Sequence, residues 1–148
     1  MNSLSLSITV PLSQESAWMA IVDWQGQSNW MLQTKVWVTS EISEGVGTTI
    51  AAFTGPLHRH YPKAGKLGLL DLMRVVSWDP PHRCDVVHYG KILKGSGTFR
   101  IEPIDEQSST FYWSEELDMP RPVFLLMAPF LLVGVKISLR RLIAQLNG

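Results

Sequence analysis

The sequence predicts an α+β fold: a curved antiparallel sheet of about seven strands wrapped around one long C-terminal helix, with two short helices after the first strand. Three observations carry this. The segment "SLSLSITV" (Ser3–Val10) alternates polar and apolar residues with period two. From Thr34 to Leu117 the chain breaks into short alternating segments separated by turn residues. From Val123 to Leu146 a single helical pattern runs unbroken except at Pro129.

Taken in order, Pro11 stops the first strand and Ser13 is a natural N-cap. "SAWMAIVDW" then places Ala17 or Trp18, Ile21 and Val22 at helical spacing, and "GQSNWML" gives a second short helix carrying Trp30. "KVWVTSEI" and "TTIAAFTG" are strands joined through a Gly45-Val46-Gly47 turn. "PLHRHYPKAGK" reads as a loop, marked by Pro56, Pro62 and Gly65. "LGLLDLMRVVSW" and "RCDVVHYG" are strands flanking an Asp79-Pro80-Pro81-His82 turn. "GTFRIE" and "TFYWSEEL" follow, separated by the polar turn "PIDEQSS". Short strands divided by turn chemistry argue an antiparallel meander.

"DMPRP" ends the sheet. The long helix is apolar all round in its first half, which predicts burial on most sides. Its second half, "KISLRRLIAQL", sets Ile137, Leu139, Leu142, Ile143 and Leu146 against Lys136, Arg140, Arg141 and Gln145. The uncharged run Val123–Val135 ends at Lys136, short of the roughly 20 apolar residues of a membrane span. The reading is therefore a buried core or interface helix, with membrane contact as the lesser alternative, and no transmembrane segment. A curved sheet around one helix often leaves an internal cavity.

The chain has 148 residues, the size of one domain covering 1–148. With 45% hydrophobic and 18% charged residues it has the composition of a folded globular protein. Its formal net charge is zero, without the basic excess of a nucleic-acid binder. The lone Cys84 cannot form an intramolecular disulfide, and the N-terminus lacks a signal-peptide pattern; both favour a cytoplasmic location. There is no phosphate loop, nucleophile elbow or zinc motif, so no cofactor is expected. His58 and His60, two apart on a loop without nearby Cys or carboxylate, read as solvated and not as metal ligands. The same loop, with Arg59, Lys63 and Lys66, is placed to gate a cavity mouth.

A register argument sorts the side chains around the Pro-Pro turn. If Trp78 faces Arg83, then Ser77 faces Cys84, Val76 faces Asp85, Val75 faces Val86 and Met73 faces His88. Residues two apart share a face. The face with Arg74, Arg83 and Asp85 goes to solvent, taking Trp78 with it. The face with Met73, Val75, Cys84 and Val86 goes inward. Asp71 and His88 fall on that inner face, diagonal to each other and near enough to meet. A slip of one residue would reverse the assignment. In the later strands Gly97, Phe99 and Ile101 look inward, as do Phe111, Trp113, Glu115 and Leu117. The expected lining is Met73, Val75, Val86, Phe99, Phe111 and Trp113, with Asp71, His88 and Glu115 as its polar points. Phe124, Met127 and Leu131 of the helix would close it.

Buried carboxylates are costly unless paired or hydrogen-bonded. Asp71, His88 and Glu115 could therefore contact a ligand, form a structural pair, or act in proton transfer. Arg140 is a candidate partner for Glu115. Cys84, predicted beside Ser77, reads as a small hydrophobe.

The element order, with "VPLSQESAWMAIVDWQGQSNWM", "RVVSWDPPHR", "GSGTFRIEP", "FYWSEEL" and a closing helix bearing "SLRRL", resembles the START-like (SRPBCC) superfamily. Its fold is also called helix-grip or Bet v 1-like. Within it, the polyketide cyclase/dehydrase and lipid-transport group is the nearest in pattern. The resemblance covers the whole chain and implies an interior cavity for lipids, polyketides, hormones or other apolar small molecules. It does not imply one activity. The first functional reading is a binding or carrier protein for a hydrophobic small molecule. The second is a polyketide cyclase or dehydratase using Asp71, His88 and Glu115. The third is an interaction protein with a filled core, whose apolar helix packs on a partner or on itself as a homodimer.

Overall fold

The computed structural model describes residues 2–63 and 67–147, with the side chain of residue 147 left aside. Gly65 and Lys66 of the predicted loop lie outside these residues. Strand β1 (Asn2–Val10) is followed by helix α1 (Gln14–Ile21) and a 3-10 helix (Gln25–Asn29). The Ser13 hydroxyl accepts the Ser16 N–H at 3.2 Å, the N-cap expected from sequence. Strands β2 (Thr34–Val38), β3 (Thr49–Thr54), β4 (Leu69–Asp79), β5 (Arg83–Tyr89), β6 (Lys94–Asp105) and β7 (Ser108–Leu117) come next. Helix α2 (Arg121–Asn147) closes the chain. In the turn before β3, Gly45 and Gly47 take φ values of +87° and +96°, open to glycine and strained for other residues. Between β3 and β4, His58–His60 form one turn of 3-10 helix within the predicted loop.

All pairings are antiparallel, in the order β1-β7-β6-β5-β4-β3-β2. This curled seven-stranded sheet with its long helix is the predicted architecture. One face of the sheet carries the core, including Val36, Ile50, Val75, Val86, Ile101, Phe111, Trp113 and Leu117.

The predicted register at the Pro-Pro turn needs one correction. The turn holds three residues, so Asp79 faces Arg83, Trp78 faces Cys84 and Ser77 faces Asp85. A β-bulge between Val75 and Ser77 then absorbs Val76 as an extra residue. Beyond it Val75 faces Val86 and Met73 faces His88, as predicted. The shorter turn undoes the predicted placement of Trp78 on the solvent face by setting it opposite the buried Cys84. The Trp78 ring meets Trp18 edge-on at 5.0 Å and packs against the core. Ser77 is thus opposite Asp85, and Cys84 is buried beside Trp78 instead of Ser77. Burial, with the charge of Asp85 adding to it, pushes the Cys84 thiol up to about 12, where it stays protonated and inert.

Helix α2 corrects a second expectation. Phe124, Ser138, Leu139 and Leu142 are buried against the rest of the fold. The Ser138 hydroxyl accepts the Leu32 N–H at 2.8 Å and donates to the Gly134 carbonyl at 2.7 Å. Gln145 donates to the Asn29 carbonyl at 2.8 Å. The opposite side of the first half is not buried: Leu125, Leu126, Phe130 and Val133 are all exposed. A helix on one face of one sheet can bury only one side, and among the described residues nothing packs on the other. The helix also runs through Pro129 and past Lys136, so Arg121–Leu146 is long and apolar enough to cross a membrane. The sequence had placed that run short of spanning length because it was counted only to the first lysine.

Candidate functional site

The polar point of the core is built from three strands. His88 on β5 faces Met73 on β4, and Asp71 lies one inward position further along β4, opposite the small Ala52 of β3. Nδ1 of His88 is 2.7 Å from Oδ1 of Asp71. Nε2 of the same ring is 2.6 Å from Oε2 of Glu115 on β7. Strand β6 lies between β5 and β7, so the second bond must pass over it. It can do so because β6 presents glycine there. His88 faces Gly95, and Glu115 faces Gly97. Gly95 has φ +137°, and a Cβ on it would lie 1.9 Å from the Glu116 carbonyl oxygen. The "GSG" of β6 is a notch in the inner face, and the His88–Glu115 bond occupies it.

The group is largely dry: the side chains of His88, Asp71 and Glu115 are 2%, 17% and 13% exposed. Burial opposes charge on His88, but the hydrogen bonds and charges of Asp71 and Glu115 outweigh it and lift the imidazole to about 10. At neutral pH the ring is an imidazolium donating from both nitrogens. Burial raises Glu115, with the His88 contact opposing. With both carboxylates ionised the three groups sum to one negative charge.

They sit at one corner of a pocket of about 160 Å³ between the sheet and α2. Of the residues predicted to line a cavity, Asp71, Met73, His88, Phe99, Trp113, Glu115 and Leu131 do. Val75, Val86, Phe111 and Phe124 are buried in the surrounding core without lining it, and Met127 is only partly buried and also lies off the pocket. Arg140 is exposed and is not the partner of Glu115; His88 is. Sequence reasoning missed the wall formed by Gln27, Met31, Thr34, Ala52, Leu93 and Val135. Extending the face assignment into β2 and β3 would have found Ala52. The residues of the 3-10 helix and its exit carry no period that could reveal them.

His58 Nδ1 lies 3.1 Å from the Gly55 carbonyl, part of its own loop. Among the described residues no group of His, Cys, Asp and Glu is arranged to hold a metal ion. In the Asp71–His88–Glu115 group both ring nitrogens are already committed to carboxylates.

A curled antiparallel sheet gripping one long helix defines the START-like class, and solved structures superpose on the chain. A START superfamily protein from Mycobacterium smegmatis does so with a TM-score of 0.74 at 14% identity, over 97% of this chain and 98% of that one. A protein from Thermobifida fusca, solved by solution NMR, gives 0.74 at 16% identity over 96% and 91%. The Zhui aromatase/cyclase from a Streptomyces species gives 0.71 at 13% identity over 97% and 92%. At such identities the likeness is one of fold. No curated protein matches the chain. The family model described as polyketide cyclase / dehydrase and lipid transport matches residues 1–147, and the chain belongs to that family.

Proposed function

We propose that the chain binds a small apolar ligand bearing a hydrogen-bond donor, without transforming it. The observation that supports this best is the acidic corner of an otherwise apolar pocket. Among the described residues no Lys or Arg lines it, so His88 is the sole cation beside two carboxyl groups. A hydroxyl or amine on the ligand can donate to Asp71 or Glu115, whereas a carboxylate ligand would be repelled. The pocket of about 160 Å³ is close to the engineered cavity of about 150 Å³ that takes benzene. It fits a ligand of one aromatic ring as it stands, and a lipid or extended polyketide only if α2 moves outward. The lone Cys84 favours the cytoplasm as its place of action.

The test is thermal shift with native mass spectrometry on a matched set: a phenol, an aromatic amine and benzoate. The phenol and the amine should raise Tm and be retained, and benzoate should do neither. No shift with any of the three, or a preference for benzoate, would overturn the reading.

One observation favours a second reading, a cyclase or dehydratase. Burial raises Glu115, and a carboxyl that holds its proton more firmly is a candidate donor to a leaving hydroxyl. Against it, a general base works best with a pKa near the operating pH, and His88 is held at about 10. Here Asp71, His88 and Glu115 would be the catalytic residues. Turnover of a poly-β-ketone analogue that is lost in Glu115→Gln, with binding kept, would favour this reading over the first.

A further inference from the structure

The outer side of α2 is the largest feature that the pocket leaves unused. Leu126, Phe130, Val133 and Ile137, spaced four, three and four residues apart, form one apolar stripe. Leu126 is 71% exposed and Phe130 76%. Only 17% of the most apolar stretch of the helix is buried. Isolated exposed apolar residues are ordinary, but a continuous stripe along a helix marks an interaction surface.

The charges indicate what covers it. Helix α2 carries Arg121, Lys136, Arg140 and Arg141 and no acidic residue, in a chain whose formal net charge is zero. At about 100° per residue, Lys136 and Arg140 flank the stripe on one side and Arg141 on the other. Arg141 reaches the Asn29 carbonyl at 3.5 Å, and Asn29 lines a surface groove together with Lys35 and Arg59. Cations therefore gather around the C-terminal half of the stripe. Two copies of this helix packed together would set cations against cations, with no carboxylate on either helix to pair them.

We infer that the outer face of α2 docks on an anionic lipid surface, lying in its plane. An apolar stripe edged by Lys and Arg is the pattern of an interfacial helix, which sinks about 5–10 Å into the headgroup region. The helix does not cross the bilayer. Phe124, Leu139 and Leu142 pack on the fold, and Ser138 is bonded to the Leu32 N–H.

The experiment is co-sedimentation of the full chain with vesicles of phosphatidylcholine and phosphatidylglycerol in roughly equal proportion, beside pure phosphatidylcholine. The protein should bind the mixed vesicles, much less the neutral ones, and be released by high salt. The double variant Leu126→Ser, Phe130→Ser should partition about tenfold or more worse, because those side chains supply apolar burial. Both are exposed, so its Tm and circular dichroism should match the parent. Lys136→Glu with Arg140→Glu should abolish the preference for anionic vesicles. The inference is overturned if the parent stays in the supernatant, or if it binds neutral and anionic vesicles alike. It is equally overturned if it resists alkaline extraction as a spanning protein, or if light scattering shows a dimer that Leu126→Ser, Phe130→Ser dissolves while no vesicle binds.

Discussion

Gly97 on β6 faces Glu115 on β7, and a Cβ at Gly97 would stand 2.9 Å from the Glu115 carboxylate. The absence of that one carbon lets Glu115 lie over β6 and reach His88. In Gly97→Ala the carboxylate, at the end of a flexible side chain, swings aside. The cost is then mainly the lost charge-assisted bond, about 1–3 kcal/mol. Urea unfolding should show it, and the His88 ring should titrate lower by NMR. Unchanged stability and titration would mean that Glu115 contributes nothing to holding the imidazolium.

His88→Ala should be more severe. It leaves Asp71 and Glu115 as neighbouring carboxylates in a largely dry site, and removing the partner of a buried charge costs about 3–5 kcal/mol. Adding Asp71→Asn and Glu115→Gln to that variant should recover part of the loss, since neutral amides need no counter-charge. A triple variant no more stable than His88→Ala would show that the loss comes from packing alone.

The stability of the protein should fall on the alkaline side. The unfolded imidazole titrates near 6.5 and the folded one is pushed up to about 10. Below about 6.5 both states hold the proton and the stabilisation is complete. Between the two values only the folded state holds it, so each rise of one pH unit removes up to about 1.4 kcal/mol. Above about 10 this contribution is gone. Chemical denaturation from pH 6 to pH 10 (roughly the window set by the two titrations) should show that slope, and His88→Gln should flatten it. An equal slope in both proteins would assign it to other groups.

Deleting Val76 should remove the β-bulge and leave Trp78 on the inner face, because Val75, Ser77 and Trp78 then face Val86, Asp85 and Cys84 in unbroken order. Trp78→Ala, by contrast, loses the edge-on contact with Trp18 and leaves a space behind, at a cost of up to about 3 kcal/mol. Urea unfolding should show that loss for Trp78→Ala, while the deletion keeps the near-UV tryptophan signal of the parent. A deletion variant that loses the signal would show that the bulge itself is needed to seat Trp78.

The fold was legible because its determinants are local. The alternation of β1, the Ser13 cap, the glycine turn before β3 and the length of α2 can each be read without knowing their neighbours. The meeting of Asp71 and His88 was legible because one hairpin carries both. The bulge at Val76 was not, since a valine in a valine-rich strand gives no sign of being the extra residue. The error at the turn and the bulge offset each other, which left the inward residues beyond them correctly placed. Glu115 was assigned the right face and the wrong partner. Arg140 suits a carboxylate by charge, but only three-dimensional strand order shows that a glycine notch opens the way to His88. The exposed side of α2 was misread because an all-apolar run implies burial only if enough fold exists to surround it.

The pocket has two kinds of wall. Asp71, His88 and Glu115 stand on strands knit together by hydrogen-bond ladders, so the polarity of that corner is fixed. Leu131 and Val135 stand on a single helix that no ladder joins to those strands. Trimming either side chain would enlarge the chamber without touching the charged corner. If the pocket takes a ligand as proposed, taste and appetite are inherited separately in this scaffold: the sheet sets the polarity of the corner, and the helical positions Leu131 and Val135 can change the room beside it.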